Sequence, residues 1–353
     1  MSPVAPDAAD AAWFTTVLRE CGVLGDGRVL TVSGEPVGHG LLCESVRYHL
    51  TYDVPTDWAT VVGKFSSQHA GMRAGAIAEQ TYQREFAFYQ DLVHGLDVPV
   101  PRCLACVGDP AVEFVLVMED LAPTMSVDQM AGCSLEQAEA VMDAAVGLHA
   151  PRWGDPALDD AYWSVRGSWI PRVAAAYPRC FGQFAAKFDV GDEVTGIGTA
   201  FAPVLQQWFD GQPRPWTLTH GDFRLDNMLF GIRGGSEPVG ILDWQTMMPS
   251  SATVDVAYFI GSSFEPADRR KHEEHLIRRY HAGLVDAGVG GYSFDQCFAD
   301  YRYNAFLGYL MCTYSAALVR GTPRSDAMFT TWARRASAQI RDLDCLALLP
   351  TGR

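Results

Sequence analysis

The stretch that decides the fold of this chain is LTHGDFRLDNMLF, residues 218–230. Its apolar ends predict two short strands, and the residues between them are densely polar. The polar members are His220, Asp222, Arg224, Asp226 and Asn227. Proteins often place reactive side chains on a loop that rigid elements hold in position. This loop is therefore the first candidate for a functional site.

A further carboxylate follows on the next predicted strand. Asp243 stands 16 residues after Asn227 in the apolar segment GILDW, where a charge is costly unless it is paired or binds a metal. An Asp, an Asn five residues later and a strand-borne Asp match the base and metal ligands of kinases. The pattern predicts Asp222 as the base for a substrate hydroxyl, and Asn227 and Asp243 as ligands of Mg²⁺, which prefers oxygen. Arg224, two residues after the base, is expected to face the transferred phosphate.

Two other interpretations of the loop stay open. The loop could be a polar turn, with Asp243 capping a nearby group. It could also belong to a metallohydrolase that uses His220, Asp222 and Asp243. Such an enzyme needs further ligands, usually His, at set spacings. The other His residues of the chain show no such pattern.

The first third of the chain is predicted to be rich in strands. After a short amphipathic helix over residues 11–24, the segments VLTVSG, LCESVRYHLTYDV and ATVVGKFSS predict an antiparallel meander from 28 to 67. Residues 77–94 carry apolar side chains at helical spacing. VPVPRCLACV and VEFVLVMEDL predict two more strands.

A buried ion pair is predicted in this part of the chain. Lys64 ends the apolar strand VVGK, and Glu85 lies inside the apolar arc of the predicted helix 77–94. Buried charges are usually paired, and a Lys–Glu pair positions the phosphates of ATP in kinases. Lys64 and Glu85 are therefore predicted to pair and to bind the nucleotide. Glu79 is the alternative partner, but it lies in the first helical turn, where the helix dipole already favours an acid.

A glycine-containing turn precedes Lys64 and is predicted to cover the phosphates of the nucleotide. It runs from Gly34 to Gly40, and Gly38 and Gly40 allow the backbone to approach a ligand closely. The signal is weak by itself, since it is neither a G-x-G-x-x-G motif nor a Walker A loop.

The residues that end the segment VEFVLVMEDL are predicted to form the junction between two lobes. The main chain at Glu119 and Leu121 is expected to bind adenine, and Met118 is expected to line the adenine pocket. A Met on a strand is also compatible with a plain core position.

The remainder of the chain is predicted to be mainly helical. Ser134, with Gln137 three residues later, is a capping box that starts a helix running to about Leu148. Strand signals return only at WTLTH, NMLFG and PVGILDW. From 253 to about 347 the pattern is helical again.

This order of elements predicts an α+β protein with a bilobal, protein-kinase-like fold. The N-lobe is expected to be rich in β-structure and the C-lobe mainly helical. The predicted parts are an N-terminal helical segment (1–27), an ATP-binding N-lobe (28–121), and a C-lobe with the catalytic loop and the substrate-binding helices (122–353).

Composition excludes several classes of function. Lys plus Arg is 27 and Asp plus Glu is 42, which gives a formal net charge of −15. An acidic chain repels nucleic acid and anionic membrane surfaces. No apolar stretch is long enough to cross a membrane, and the N-terminal segment lacks the basic region of a signal peptide. We expect a cytoplasmic monomer or homodimer without nucleic-acid or membrane partners.

The cysteines agree with a reducing compartment. There are nine, an odd number, and Cys103 and Cys106 form the C-x-x-C motif of the chain. The chain has no second pair at zinc-finger distance and no His pair after it. The cysteines are therefore predicted to be small core residues.

With these motifs in order, the chain resembles the aminoglycoside phosphotransferase and choline kinase superfamily. The resemblance spans roughly residues 30–345 and rests on VVGK, REFAFY, VLVMEDL, HGDFRLDN and ILDW. It implies a protein-kinase-like fold, ATP as donor and a small hydroxyl substrate bound by the helical lobe. It also implies that Asp222 is the base and that Asn227 and Asp243 are the metal ligands. Asp255 and His149 match recurrent positions of the family, and structural roles are expected for both.

The chain also departs from its relatives. Trp244 and Gln245 replace the Phe-Gly of protein kinases, and the DWQ segment looks nearer to the bacterial branch that resembles ecdysteroid kinases. The tail ALLPTGR is not acidic, which weakens the case for an antibiotic substrate. No activation segment ending in Ala-Pro-Glu is recognisable, which argues against a protein kinase.

The expected function is therefore ATP- and Mg²⁺-dependent phosphorylation of a hydroxyl on a small molecule. The acceptor would be an amino sugar, an aminoglycoside-like compound or another alcohol. The alternative is a catalytically silent pseudokinase that binds nucleotide or a partner. The presence of Lys64, Asp222, Asn227 and Asp243 together favours the enzyme.

Overall fold

The segments rich in Val, Thr and Tyr in the first third of the chain are strands in the computed structural model, which describes residues 2–38, 42–319 and 321–350. They form one antiparallel sheet in the order β1-β2-β3-β5-β4. Its strands are β1 (Val29–Pro36), β2 (Cys43–Tyr52), β3 (Thr60–Ser66), β4 (Cys103–Asp109) and β5 (Glu113–Glu119). The predicted meander is thus present, and the strand that carries Lys64 lies at the centre of the sheet.

An N-terminal helix covers part of this sheet. In α1 (Ala11–Glu20) the side chain of Asp10 caps the first turn by accepting from the backbone N–H of Trp13. Phe14, Val17 and Leu18 of α1 are buried in one core cluster with side chains of the sheet. The residues before β1 therefore belong to the same apolar core as the strands.

The helix predicted over residues 77–94 differs in its extent. α2 (Ala70–Ala78) ends before Gln80, which adopts a left-handed φ of 53°, and α3 (Thr81–Ala87) follows. The chain then continues through a π-helical turn, Phe88–Leu92, and a short 3₁₀ turn. The break matters because it leaves Glu79 exposed at the end of α2, whereas Glu85 is buried inside α3.

Helices dominate the rest of the chain. The predicted capping box is present, since Ser134 and Gln137 cap one another at the start of the first of these helices. The longer ones are α4 (Leu135–His149), α5 (Arg166–Lys187), α6 (Gly191–Phe201), α7 (Leu205–Asp210), α9 (Thr253–Ser263), α10 (Pro266–Asp286), α11 (Phe294–Asn304), α12 (Phe306–Leu318) and α13 (Pro323–Asp342), with the single turn α8 (Ile232–Gly235) between strands.

Two small antiparallel sheets lie among these helices. β7 (Trp216–Thr219) pairs with β10 (Met248–Ser251). The second sheet has the order β6-β8-β9 and consists of β6 (Met125–Ser126), β8 (Met228–Gly231) and β9 (Glu237–Ile241). Strands were predicted at β7, β8 and β9, whereas β6 and β10 carry too short a pattern to be recognised in the sequence.

The chain divides into two compact units. The first comprises Met1–Gly95, Val100–Pro123 and Leu242–Thr246, and the second comprises Leu96–Pro99, Thr124–Ile241 and Met247–Arg353. The segment Leu242–Thr246 returns to the first unit although its neighbours in sequence belong to the second. This α+β arrangement is a protein-kinase-like fold.

α9 occupies a special position in the second unit. All eleven of its residues are buried, from Thr253 to Ser263. It makes contacts with α11, α12 and α13. A polar side chain on this helix must therefore find its partners inside the protein.

The cysteines are all free thiols. The Sγ atoms of Cys103 and Cys106 are 3.6 Å apart on β4, although residues three apart on a regular strand point to opposite faces. The register between β4 and β5 shifts after Cys103, which inserts one residue and returns Cys106 to the same face. Both residues are half-buried, so they are less enclosed than the predicted core positions.

Among the described residues, no helix is long and apolar enough to span a membrane.

Gly147 in α4 provides a test of the packing in the second unit. A Cβ at this position would lie 1.8 Å from the carbonyl oxygen of Asp97. Helix α4 and the backbone at Asp97 therefore meet without a side chain between them. We expect Gly147→Ala to destabilise the protein by at least about 2 kcal/mol, because backbone cannot be moved aside cheaply. Urea unfolding measures this change.

Gly196→Ala is the matched control for that measurement. Gly196 also lies inside a helix, α6, but a Cβ there would have no neighbour within 4 Å. Since Ala favours the helix over Gly, we expect this variant to be as stable as the parent or more stable by about 0.5–1 kcal/mol. Equal destabilisation by both substitutions would contradict the close approach at Gly147.

Candidate active site

The polar loop is held by buried apolar residues on both sides. β7 leads into it, the 3₁₀ turn Leu225–Asn227 ends it, and β8 follows. Phe223, Leu225 and Met228 are buried. The loop therefore has apolar anchors within and after its polar part, and the polar residues have little freedom to move.

Asp222 is the most heavily hydrogen-bonded side chain of the loop. Arg224 Nε donates to both carboxylate oxygens, at 3.1 and 3.2 Å. Asn227 Nδ2 donates to Oδ2 at 2.9 Å and to the main-chain oxygen of Asp222 at 2.8 Å. The hydroxyl of Tyr258 donates to Oδ1 at 2.6 Å. Each carboxylate oxygen thus has at least two donors.

These donors decide the ionisation of Asp222. Burial by itself raises the pKa of this carboxyl, but the charge of Arg224 and the hydrogen bonds from Tyr258 and Asn227 outweigh it and hold the pKa below its ordinary value. Asp222 is therefore ionised at neutral pH, as a base that accepts a proton must be.

Arg224 links the loop to the helical core. Its guanidinium contacts the carboxylates of Asp222 and Asp226, and it lies over the ring of Trp332 at 5.6 Å from the ring centroid. Its position beside the carboxylate of Asp222 places a fixed positive charge next to the candidate base.

Asp255 supports the backbone of the same loop. Its Oδ2 accepts from the N–H of His220 at 2.6 Å and its Oδ1 from the N–H of Gly221 at 2.9 Å. His149 Nε2 lies 3.2 Å from Oδ2, and the other ring nitrogen of His149 lies 2.8 Å from the hydroxyl of Tyr280. The carboxylate in the first turn of α9 thus fixes the residues directly before Asp222, and the expected structural role of Asp255 and His149 follows from these bonds.

The first unit contains the second charged cluster. Lys64 Nζ lies 2.5 Å from Glu85 Oε1 and 3.3 Å from Asp243 Oδ1. Glu85 is 1 % exposed, and Gln245 Nε2 donates to its other oxygen at 3.3 Å. Burial lowers the pKa of Lys64, but the two carboxylates raise it well above its usual value, so the ammonium is retained. The ion pair predicted between Lys64 and Glu85 is present.

The DWQ segment is fixed to this cluster. Asp243 adopts a left-handed φ of 64°, which is uncommon for residues other than Gly. Trp244 stacks on Phe88 with centroids 3.7 Å apart and planes 6° from parallel. Gln245 also contacts Cys43. The segment is therefore held by an ion pair, a ring stack and hydrogen bonds.

The predicted nucleotide residues outside this cluster have different surroundings. Gly38 has a φ of 74°, so it uses the conformational freedom of glycine, whereas Gly40 lies outside the described residues. Met118 and Leu121 are buried, and Met118 pairs with Cys103 in the neighbouring strand. The N–H of Glu119 donates to the carbonyl of Arg102 at 2.8 Å, so this amide is already engaged.

The two predicted metal ligands each offer oxygen atoms, one in each unit. Asp243 offers carboxylate oxygens, and Asn227 offers its amide oxygen, since an amide nitrogen has no free lone pair and here donates to Asp222. Among the described residues, no group of three or more His, Cys, Asp or Glu side chains could hold a metal. Oxygen ligands of this kind suit Mg²⁺, which takes one or two carboxylates from a protein and completes its shell with phosphates and water.

The structure thus brings the predicted residues together in two groups. Asp222, Arg224 and Asn227 are together in the second unit, and Lys64, Glu85 and Asp243 are together in the first. Sequence reasoning missed Tyr258 and Gln245. The hydroxyl of Tyr258 within the otherwise apolar run 256–260 of α9 was the available signal.

Part of the chain resembles a known protein family. Residues 185–288 match the model of the ecdysteroid kinase-like family. A search of curated proteins found no match to this sequence.

Solved structures share the fold along almost the whole chain. A candidate aminoglycoside phosphotransferase from Ralstonia eutropha is 16% identical with a TM-score of 0.57, and the match covers 96% of this chain and 98% of that one. An ethanolamine kinase from Plasmodium vivax is 10% identical with a TM-score of 0.54, covering 92% and 87%. The GDP complex of a mutant aminoglycoside 2′-phosphotransferase is 13% identical with a TM-score of 0.51, covering 87% and 95%. The chain therefore has the fold of the aminoglycoside phosphotransferase and choline kinase-like superfamily, and part of it resembles the ecdysteroid kinase-like family.

Proposed function

We propose that this protein is an ATP- and Mg²⁺-dependent phosphotransferase that phosphorylates a hydroxyl of a small molecule. The observation that carries the proposal is the ionised carboxylate of Asp222, which is half-buried in a rigid loop and oriented by Arg224, Asn227 and Tyr258. A polar turn without chemistry would not need three side chains to hold one carboxylate in a fixed orientation.

The reaction is transfer of the γ-phosphoryl group of ATP. The acceptor oxygen forms a bond to the γ-phosphorus, the bond from that phosphorus to the oxygen of the β-phosphate breaks, and ADP leaves. Asp222 accepts the proton that the acceptor hydroxyl loses. The positive charge of Arg224 beside the base is available to the transferred group, which gathers negative charge during the transfer.

The first unit supplies the groups that would hold the donor. Lys64, kept protonated by Glu85, binds phosphate oxygens, and Gln245 holds Glu85 in place. Asp243 and Asn227 are the proposed ligands of Mg²⁺, which neutralises charge on the phosphates when it is bound. Gly38 and Gly40, with the main chain near Glu119 and Leu121 and the side chain of Met118, are proposed as further nucleotide contacts.

The acceptor is proposed as an amino sugar, an aminoglycoside-like compound or another small alcohol. The similar structures include an ethanolamine kinase and proteins described as aminoglycoside phosphotransferases, which supports a small hydroxyl compound. One of those structures is a complex with GDP, which supports nucleotide use by this fold. We further propose that the protein works as a monomer or homodimer in the cytoplasm, without nucleic-acid or membrane partners. Its charge of −15 supports the last two points, because an acidic chain repels nucleic acid and anionic membranes.

The proposal is tested by a thermal-shift screen followed by a transfer assay. The protein is screened against hydroxylated metabolites and antibiotics with Mg²⁺ and a non-hydrolysable ATP analogue. Hits that need both nucleotide and metal are then incubated with ATP labelled at the γ-phosphate. Label on the acceptor is the expected result. Binding of Mg-ATP without transfer to any acceptor would favour the pseudokinase instead.

A further inference from the structure

Among the residues that the structure describes, Tyr258 is the donor to Asp222 that comes from outside the loop. It lies in α9, is 0 % exposed, and its hydroxyl donates to Asp222 Oδ1 at 2.6 Å. One helical turn before it, Asp255 binds the backbone of the residues that precede Asp222. The same helix thus holds both the main chain of the loop and the carboxylate of the candidate base.

The ring of Tyr258 is itself held in place. It stacks on Trp332 of α13, with centroids 5.3 Å apart and planes 14° from parallel. On α12, Gly308 approaches it so closely that a Cβ there would lie 3.3 Å from the Cδ2 atom of Tyr258. Two further helices therefore fix the ring, and the hydroxyl has little freedom to leave the carboxylate.

This placement makes the two oxygens of Asp222 different. Oδ1 accepts from Tyr258, Oδ2 accepts from Asn227, and Arg224 bridges both. A carboxylate can otherwise rotate about its last bond, whereas a base is effective only when a lone pair points at the proton it takes. With donors fixed on both sides, the carboxylate cannot rotate freely and keeps one orientation.

The hydroxyl of Tyr258 remains a donor at all ordinary pH values. Burial and the neighbouring charge of Asp222 raise the pKa of Tyr258 well above its usual value. Tyr258 therefore does not act as a base in its own right, and its hydrogen bond favours the ionised form of Asp222.

We propose that Tyr258 is a positioning residue for catalysis, which orients the carboxylate of Asp222 without touching the substrate. The inference rests on the proposed function, in which Asp222 is the base. It assigns part of the catalytic arrangement to α9, a helix whose residues are all buried.

The test is Tyr258→Phe, which removes the hydroxyl and keeps the ring stack. We expect kcat to fall about 10- to 100-fold, the range for losing one hydrogen bond to a charged group. The KM for ATP should stay within about twofold, because the change acts on the chemical step. Loss of the donor raises the pKa of Asp222, so the acidic limb of the kcat profile should move to higher pH.

Tyr309→Phe is the matched control. Tyr309 is also 0 % exposed, and its hydroxyl donates at 2.6 Å to the carbonyl of Val194, away from the loop. This variant loses a buried hydrogen bond of equal length, so it should lose a similar amount of stability and keep the kcat profile of the parent. If Tyr258→Phe behaves like Tyr309→Phe, with kcat and the acidic limb unchanged, the inference is overturned.

A second readout separates this inference from the proposed function. The carboxyl of Asp222 can be titrated by ¹³C NMR in protein labelled at aspartate, with its signal assigned by Asp222→Asn. If the wild type transfers phosphate to no acceptor, the proposed function fails, and the titration alone decides. A higher titration midpoint in Tyr258→Phe then supports the orienting bond, and an unchanged midpoint overturns it.

If Tyr258→Phe does not fold, a fluorinated tyrosine at position 258 provides the test instead. Fluorine makes the phenol a stronger donor and leaves its size almost unchanged. The acidic limb should then move to lower pH, opposite to the effect of Tyr258→Phe. A shift to higher pH, or none, would count against the inference.

Discussion

Asp222→Asn is expected to lower kcat by about two to four orders of magnitude, which is the usual contribution of a general base. The amide has almost the same size and can still accept from the hydroxyl of Tyr258, but it cannot take a proton from an acceptor hydroxyl. Arg224 keeps a carboxylate partner in Asp226. The loop should therefore stay folded, and the dissociation constant for Mg-ATP should change by less than about threefold.

The measurement combines a transfer assay with calorimetric titration of nucleotide. Asp300→Asn is a suitable control, because Asp300, like Asp222, is a carboxylate of the second unit that accepts from a tyrosine hydroxyl, here that of Tyr292 at 2.9 Å. Its amide variant should keep kcat within about twofold. Turnover by Asp222→Asn at a level near that of the parent would mean that the base lies elsewhere.

Lys64→Met is expected to abolish measurable nucleotide binding and to destabilise the first unit. The substitution keeps the apolar stem but removes the charge between Glu85 and Asp243, and Glu85 is 1 % exposed. Removing one partner of a buried pair leaves an uncompensated charge, which costs about 3–5 kcal/mol. Urea unfolding at neutral pH should show a loss of this size.

The pH dependence of that loss has a definite sign. Without Lys64, burial holds the pKa of Glu85 above its unfolded value. The folded variant then binds more protons than the unfolded chain, so its stability rises as pH falls and decreases as pH rises through the folded pKa. The difference in free energy of unfolding between the variant and the parent should therefore become smaller as the pH is lowered from about 7.5 to about 5.5.

Two further variants control this prediction. Lys64→Met combined with Glu85→Gln removes the unpaired charge, so we expect most of the stability to return while nucleotide binding stays lost. Lys187→Met breaks the exposed pair with Asp326, whose side chain is 38% exposed, and should cost no more than about 1 kcal/mol. If Lys64→Met and Lys187→Met lost the same free energy of unfolding, the charge of Lys64 would not be needed to compensate the buried carboxylate of Glu85.

Much of the site could be predicted because it lies in short local patterns. The loop 218–230, the charged end of β3 at Lys64 and the capping box at Ser134 each depend on residues close in sequence. Glu85 was identified as the partner of Lys64 from its place in an apolar arc, and a buried charge requires a partner wherever the chain supplies one. The helix boundary at Gln80 could not be predicted, because no Gly or Pro marks it in the segment 77–94.

What the sequence by itself determined is the type of fold, the polar loop and the charges that must be paired. Only the tertiary structure decided which donors surround Asp222 and where the DWQ segment lies. Every residue of α9 is buried, so periodicity could not indicate that Tyr258 faces the loop. Leu242–Thr246 joins the first unit through Lys64, Glu85 and Phe88, which are distant in sequence. Local patterns predict elements and unpaired charges, whereas contacts across the chain depend on how those elements pack.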